Sequence, residues 1–491
     1  MTEPQDKPEI STLLAERRQK LERLRDAGID PFPHSFEGRE DISRVLEAHE
    51  GLEAGTETES VHRVAGRIAG RRGHGKAAFI DLRDVSGQIQ LHAKADVLGD
   101  SFALLDDLDL GDIIGVEGRA VVTRRGQLSI EVKDWQILAK SLRPPPDKHS
   151  GLEDTETRYR RRELDLIANE SSREIFRIRA RTVAETRRWL DDHGFFEVET
   201  PVLQPLYGGA LAKPFTTHHN ALDRKLYLRI ATELYLKRCV VGGIDKVYEL
   251  GKDFRNEGIS MKHNPEFTML EWYEAYADYS DTAKNLETLV SDVAMKVLGT
   301  TQIERDGRMI ELAPDWHRIT LRDAILKESG IDIEKETTRE SLAAAMSVEL
   351  DDTVGWGKLV DTLFSKKVEP KLVEPTFILD YPVELSPFAK AHRDRPGVVE
   401  RWEAFIGGVE IANSFTELND PDEQRRRFEQ QAEELARGDD EAQPYDEAFI
   451  QALEQGMPPT GGVGLGIDRL VMMLTSTSSL REVVLFPAMR D

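Results

Sequence analysis

The chain has 491 residues, with 66 Lys and Arg against 90 Asp and Glu for a formal net charge of −24, and that length predicts more than one domain. Apolar residues at 39% and charged residues at 32% exclude a disordered chain, and no apolar run approaches the roughly 20 residues of a membrane helix. Cys239 is the only cysteine, which excludes an internal disulfide and a Cys-based zinc site. The N-terminus carries no basic, then apolar, leader pattern, so the expected location is the cytoplasm with no membrane partner.

The acidic total argues against a general nucleic-acid binder, yet residues 60–148 hold 14 Lys and Arg against 12 Asp and Glu. Screening limits the reach of exposed charge to about 8 Å at physiological salt, so this module can bind a polyanion despite its acidic surroundings.

Residues 10–28 read as a solvated surface helix, with Leu13, Leu14, Leu21 and Leu24 on one flank, stopped by Gly28, Pro31 and Pro33; an auxiliary RNA contact is the sharper reading. The expected domains are a helical extension over 1–59, a β-barrel over 60–148 and a larger domain over 149–491. Within the barrel, Ala78, Ile80 and Leu82 alternate with Phe79, Asp81 and Arg83, and Asp84-Val85-Ser86-Gly87 turns the chain into a second alternating run through Ile89 and Leu91. Further strands fit Ile113–Val122 and Leu128–Ile137, and several short strands in about 90 residues suggest a small barrel or sandwich. Alternation puts Phe79, Gln90 and His92 opposite the aliphatic face. An exposed aromatic near Arg71, Arg72 and Lys76 can stack on an unpaired base, although a single exposed Phe is also common.

The Pro-rich run Leu142–Gly151 is the expected boundary. A helix from Ser171 to about His193 follows, stopped by Gly194, and Phe195–Thr200 reads as a strand ending at Pro201. Three later segments carry chemistry. In the first, Phe254-Arg255-Asn256-Glu257 leads through a loop to a strand on which Phe267, Glu271 and Tyr273 share a face, a wall suited to a charged ligand. In the second, Gly407-Gly408 joins two strand-like runs as a hairpin, with Glu410 expected opposite Phe405 and Glu403 opposite Ala412. Glu403 and Glu410 become diagonal like charges, and an all-oxygen pair points to Mg²⁺ bridging to phosphates. Strict alternation sends Asn413, Phe415 and Glu417 to the opposite face. In the third, four glycines between Gly461 and Gly466 read as a turn before a helix with Arg469 in its first turn, without the pattern of a Walker loop. Residues 421–455 are strongly charged and read as a surface helical insertion.

In combination these segments resemble the three signature motifs of class II aminoacyl-tRNA synthetases: the helix ending near Pro201, Phe254–Glu257 with its loop, and Gly464–Arg469. Gly208–Ala210, Pro214–Ala221, Leu226–Arg238, Glu410–Asp420 and Leu485–Arg490 narrow the resemblance to the lysyl-tRNA synthetase family over about residues 60–491. The resemblance implies an α+β chain: an N-terminal OB-fold barrel that binds the anticodon through Arg71, Phe79 and Gln90, then a class II catalytic domain on a six- to seven-stranded antiparallel sheet flanked by helices. It implies L-lysine, ATP and lysine tRNA as substrates, Mg²⁺ as cofactor and a homodimer.

Carried onto this sequence, the family roles make Arg255 and Arg469 the catalytic cations, with Arg255 clamping the lysine carboxylate and the α-phosphate. Gly209 and Glu233 would hold the α-amino group. Glu417 and Tyr273 would take the ε-ammonium, with Glu271 and Asn413 supporting them. Adenine would lie between Phe267 and Arg469, bordered by Glu257, His263 and Asn264, and Glu403 and Glu410 would hold Mg²⁺. Lys262 stands where the family often has Arg, which makes a γ-phosphate contact a point charge, and Gln127 stands where many relatives have Glu. Because the family needs Glu410 and Glu417 around one site, a β-bulge is expected between them. An aspartyl- or asparaginyl-specific enzyme would want a cationic pocket where this chain offers Glu417, Glu271 and Tyr273. An RNA-binding paralogue would have lost Arg255, Arg469 or the Glu403–Glu410 pair, and a protein-modifying lysyl transferase usually lacks the barrel.

Overall fold

The computed structural model describes residues 8–146, 151–349, 354–386, 388–436 and 443–490. The first residues of the expected extension, 147–150 of the Pro-rich connector and 437–442 of the expected insertion lie outside them. The chain forms two compact units, one running to Arg158 and including Glu163–Asn169, the other comprising Tyr159–Arg162 and everything from Glu170 onward.

The first unit is a closed barrel of β1 (Glu57–His74), β2 (Ala77–Arg83), β3 (Gln88–Lys94), β4 (Ile113–Val122) and β5 (Leu128–Ala139), in the order β1-β2-β3-β5-β4. Its core comes from the alternation itself: Ile80, Leu82, Ile89 and Leu91 are buried while the residues between them are not. The β2–β3 turn is set by Asp84, whose carboxylate accepts from the backbone N–H of Ser86, Gly87 and Ile42. Burial opposes its charge, but these donors outweigh it and hold the pKa below the ordinary value.

The helix Pro8–Asp26 is not merely solvated. It buries Leu21 and Leu24 in the barrel unit, and Arg17, itself buried, donates to the carbonyls of Ser141 and Leu110. Lys20 and Arg23 pair with Asp109 and Asp107, each at 2.6 Å. Two leucines at helical spacing, backed by cations facing an acidic loop, turn the helix onto the barrel.

The second unit is built on one eight-stranded sheet, ordered β14-β15-β16-β17-β18-β11-β10-β6. In chain order these strands are β6 (Phe196–Glu197), β10 (Lys246–Phe254), β11 (Glu266–Ala275), β14 (His317–Thr320), β15 (Thr376–Pro382), β16 (Val398–Ile406), β17 (Val409–Thr416) and β18 (Thr460–Gly466). The sheet is antiparallel except for a parallel pair at each edge, β14–β15 and β10–β6, so it exceeds the expected six or seven strands. Smaller sheets pair β7 (Leu203–Gln204) and β8 (Thr216–His219) with β9 (Arg224–Leu228), and β12 (Gln302–Arg305) with β13 (Arg308–Glu311). The expected strand Phe195–Thr200 shrinks to β6, because the Thr200 N–H and hydroxyl go to the Glu249 carboxylate at 3.1 and 2.7 Å and leave the ladder.

One face of the large sheet carries the helices Glu170–Asp192, Tyr279–Leu298 and Ile467–Leu474. Trp189, Leu286, Val290, Met472 and Leu470 pack there against Leu270, Trp272, Trp402 and Leu465. Trp272 and Trp402 are fully buried, and truncating either to Ala would cost about 3–5 kcal/mol. The opposite face is free of that core and holds the cavity described below. The glycines after Thr460 do not form a turn: they are β18, paired with β11 on one side and β17 on the other. Among the described residues no helix is long and apolar enough to cross a membrane.

The charged segment 421–455 is not a surface appendage. Its helices Pro421–Ala436 and Glu447–Leu453 bury Phe428, Phe449, Ile450 and Leu453 against Leu234, Leu236, Tyr273 and Phe388. The abundance of charge on the outward faces conceals this apolar stripe in the sequence.

Candidate active site

A cavity of about 380 Å³ opens on the helix-free face of the large sheet. Strand parity builds its wall. On β11 the residues Phe267, Met269, Glu271 and Tyr273 face the cavity, while Leu270 and Trp272 face the helices. On β18 the cavity-facing positions are Gly462, Gly464 and Gly466, which keep the floor open. A Cβ at Gly462 would overlap Glu417 Oε1 and the Tyr273 ring.

The hairpin of β16 and β17 supplies the third wall. Gly407 and Gly408 adopt φ of +59° and +70°, as a two-residue turn between paired Ile406 and Val409 requires. Glu410 faces Phe405 as expected, but a register shift follows, and Ala404 then pairs with Ala412. Ile411 is the extra residue of a β-bulge. Glu403 therefore stands opposite Asn413 and not Ala412, and Glu410, Asn413, Phe415 and Glu417 all line the same cavity. Strict alternation, which would have sent the last three to the other face, is overturned by this single residue.

Gly209, Glu233, Arg255, Glu257, Lys262, His263, Asn264, Phe267, Glu271, Tyr273, Glu403, Glu410, Asn413, Glu417 and Arg469, every residue expected at the lysine and ATP sites, line this cavity. Their charges segregate. Toward one end, Glu233, Glu271, Glu417 and Tyr273 are all buried. The Glu271 carboxylate accepts from the Thr232 N–H at 3.1 Å and from the Tyr273 hydroxyl at 3.2 Å. Burial, reinforced by Asp253 and Glu233, pushes Glu271 up to about 8. Burial likewise drives Glu417 up to about 8, with Lys237 pulling it down and Glu233 adding to the rise. Both Glu417 carboxylate oxygens are buried with no hydrogen-bond donor of good geometry among the described residues, and Oε2 lies 2.5 Å from the Lys237 ammonium.

The other end is lined by guanidinium groups and the second pair of carboxylates. Arg469 donates to the carbonyl of Glu410 at 2.7 Å and to its carboxylate at 2.9 Å. Glu403 is bonded to Arg401 and accepts from the Tyr381 hydroxyl at 2.9 Å. Burial, opposed by Arg401 and reinforced by Glu410, raises Glu403 to about 7. Phe267 carries Arg255, not Arg469, over its ring at 5.0 Å. Lys262 reaches Glu369 at 2.8 Å and the carbonyl of Gly408 at 3.0 Å. His263, bonded to Ser260, has its pKa lowered by burial and by Arg469.

The cavity unit matches the family described as tRNA synthetases class II (D, K and N) over residues 154–490, and the barrel matches an OB-fold nucleic acid binding domain over residues 62–138. The whole chain is similar to the lysine–tRNA ligase of Carboxydothermus hydrogenoformans, 49% identical over 486 residues covering 98% of this chain and 99% of that one. It is 50% identical to the lysine–tRNA ligase of Bacillus cereus over 492 residues, 98% of each chain. The match to that of Moorella thermoacetica is 50% over 482 residues, 97% of this chain and 98% of the relative. The chain belongs to the class II lysine–tRNA ligase family.

Several residues in and around the cavity were not singled out in the sequence. Gln443, fully buried, accepts from the Gly209 N–H at 3.0 Å and donates to the Ala210 carbonyl at 2.8 Å, so the charged segment reaches round to hold the glycine loop. Arg401 lines the cavity and bonds Asn413 Oδ1 at 3.0 Å. Arg179, from the helix Glu170–Asp192, pairs with Asp468 at 2.6 Å, and Asp468 accepts from the Thr268 N–H at 2.9 Å. This links all three motifs. Only Lys237 carried a local signal, standing one helical turn after Glu233.

On the barrel, Phe79 is paired with His92 and stacks on it at 4.6 Å, and Gln90 accepts from the Ser129 hydroxyl at 3.0 Å. The register puts Arg72 opposite Phe79 and Arg71 opposite the core residue Ile80. Arg71 turns to Asp106 at 2.6 Å and to the Leu108 carbonyl, so of these two arginines it is Arg72 that shares the Phe79 face. A one-residue step along a strand reverses the face, which proximity in sequence conceals.

Proposed function

We propose that this synthetase activates L-lysine with ATP and transfers it to the 3′ end of lysine tRNA. The observation that carries the reading is the buried, donor-free Oε1 of Glu417 at a cavity end shared with Glu271 and Tyr273. With Oε2 already beside Lys237, such a carboxylate favours a ligand that brings its own cationic donor to Oε1, and a neutral isostere would leave that oxygen without one. An acidic or amide side chain gains nothing from the carboxylates of Glu233, Glu271 and Glu417, which disfavours the aspartate and asparagine specificities of the wider class.

In this reading Glu233 and the Gly209 backbone hold the α-ammonium, and Glu417, with Tyr273, Glu271 and Asn413 in support, holds the ε-ammonium. Arg255 orients the lysine carboxylate for in-line attack on the α-phosphorus, expelling pyrophosphate, and Arg469 spreads the charge that develops on the phosphates. Phe267 offers its ring to adenine, bordered by Glu257, His263 and Asn264, with Lys262 as the point charge nearer the outer phosphates. The ribose hydroxyl of the tRNA end then displaces AMP from the lysyl-adenylate. Positioning and fixed charge carry both steps without a nucleophilic side chain.

The residues fit a magnesium ion. Glu403 and Glu410 present only oxygen to the cavity, and among the described residues no cluster of three or more His, Cys, Asp or Glu could enclose a metal alone. Such a pair suits an ion completed by substrate phosphates and water. Glu403 and Glu410 would hold it, and when bound it supplies neutralisation of phosphate charge. Phe79 and Gln90, with Arg72 beside them, are the proposed anticodon face. A homodimer is supported by Phe196, Val202, Leu203, Leu206 and Leu222, all exposed within one stretch of chain.

The test is aminoacylation of total tRNA with each labelled amino acid in turn. Acid-stable charging with lysine alone, confined to lysine tRNA, is the expected result; charging with aspartate or asparagine would overturn the substrate assignment.

A further inference from the structure

We propose that Lys237 is a positioning residue that sets substrate specificity: its ammonium ties Glu233 to Glu417 and so fixes the spacing of the two carboxylates that read the two ammonium groups of the substrate. This rests on the lysine reading above.

Lys237 is absent from the cavity wall, and its side chain is completely buried behind it. From the helix Glu233–Val241 its Nζ lies 2.7 Å from Glu233 Oε1 on the same helix and 2.5 Å from Glu417 Oε2, just beyond the end of β17. The Phe388 ring lies 5.5 Å from the ammonium. One buried cation therefore bridges two elements that the chain brings together from 180 positions apart. Its compact charge, with three donors, suits two carboxylates that approach from different directions. The bridge reaches one oxygen of each carboxylate, and the other Glu417 oxygen, Oε1, lies beside Gly462 in the cavity wall. With both carboxylates pinned, the distance between the ammonium sites becomes a property of the fold and not of the ligand. A diamine one methylene shorter cannot satisfy both ends at once.

The groups facing the bridge are Glu233 on its own helix, Glu417, and Glu271 and Tyr273 on β11, with Asp253 on β10 acting through Glu271. Burial alone would lower the Lys237 pKa, but Glu233 and Glu417 outweigh it and hold the pKa above the ordinary value, so the bridge stays cationic across the working pH range. Its charge in turn favours ionised Glu233 and Glu417.

The experiment is ATP–pyrophosphate exchange with lysine and with ornithine, on the full-length protein and on Lys237→Met and Lys237→Arg. Folding is checked by circular dichroism and by the thermal shift that ATP induces. Lys237→Met is expected to raise the lysine KM about 100-fold while the ATP KM moves less than about threefold, and to narrow the lysine-over-ornithine preference about tenfold. The lysine defect is expected to shrink as pH rises, because burial holds both carboxylate pKa values up and the variant lacks the cation that pulls them down. A folded Lys237→Met protein with unchanged preference, or with equal losses for lysine and ATP, overturns the proposal. If Lys237→Met does not fold, Lys237→Arg decides, since it keeps the charge and alters the spacing: a narrowed preference supports the proposal and an unchanged one overturns it. Failure of the unmodified protein to exchange with lysine would overturn the underlying reading instead.

Discussion

Glu403 stands directly opposite Asn413 across the β16–β17 hairpin, one residue further along than the Gly407-Gly408 turn alone dictates. The displacement comes from Ile411, and it alone allows Glu410 and Glu417 to face one cavity. Deleting Ile411 restores strict alternation and turns Asn413, Phe415 and Glu417 away from Glu410. Exchange activity is expected to fall about 10³-fold or more, with circular dichroism to establish that the sheet persists. Wild-type turnover in a folded deletion protein would mean that the bulge is incidental.

The carboxylates of Glu403 and Glu410 are each already paired with a guanidinium, from Arg401 and Arg469. Glu403→Gln and Glu410→Gln keep the side-chain shape and remove the charge. Each is expected to lower kcat for pyrophosphate exchange about 10²-fold and to raise the Mg²⁺ concentration needed for half-maximal rate, with lysine KM little changed. A magnesium titration that superimposes on the parent curve would remove these residues from the phosphate end.

Gly462 tests the other end. Its missing side chain leaves room for Glu417 Oε1 and the Tyr273 ring. Gly462→Ala is expected to raise lysine KM about 10- to 100-fold while ATP KM stays within about threefold, because the methyl group displaces only Glu417 and Tyr273, the pair proposed to read the lysine side chain. Equal effects on both substrates would show that the strand itself had moved.

The pH dependence follows from the buried carboxylates. Glu417 and Glu271 rise from the ordinary 4.5 to about 8. Between those values the folded chain holds protons that the unfolded chain has released, so these groups cost the empty protein stability as pH rises through that window. A bound ammonium favours the ionised form and reverses the effect. The rise in Tm produced by saturating lysine is therefore expected to be larger at about pH 8 than at about pH 6. Thermal scans giving the same rise at both would contradict a protonated empty pocket.

Most of the barrel was legible in the sequence because its strands are half-buried: Phe79, Asp81 and Arg83 alternate cleanly with Ala78, Ile80 and Leu82. The cavity-facing side of β11 was legible for the same reason. The errors arose where a local pattern meets a long-range constraint. Alternation has no way to signal the extra residue Ile411, and the step from Arg71 to Arg72 depends on a partner strand. Gly461–Gly466 reads as a turn because glycine is rare inside strands, yet here the floor of a pocket needs residues without side chains. Gln443 and Lys237 act through contacts across more than 170 positions, which composition and spacing do not record.

The most direct measurement is ATP–pyrophosphate exchange by the purified full-length protein with Mg²⁺, across all amino acids, with no tRNA present. The buried carboxylate end of the cavity predicts exchange with lysine alone. Exchange with aspartate or asparagine, or none with any amino acid from protein shown to be folded, would contradict it.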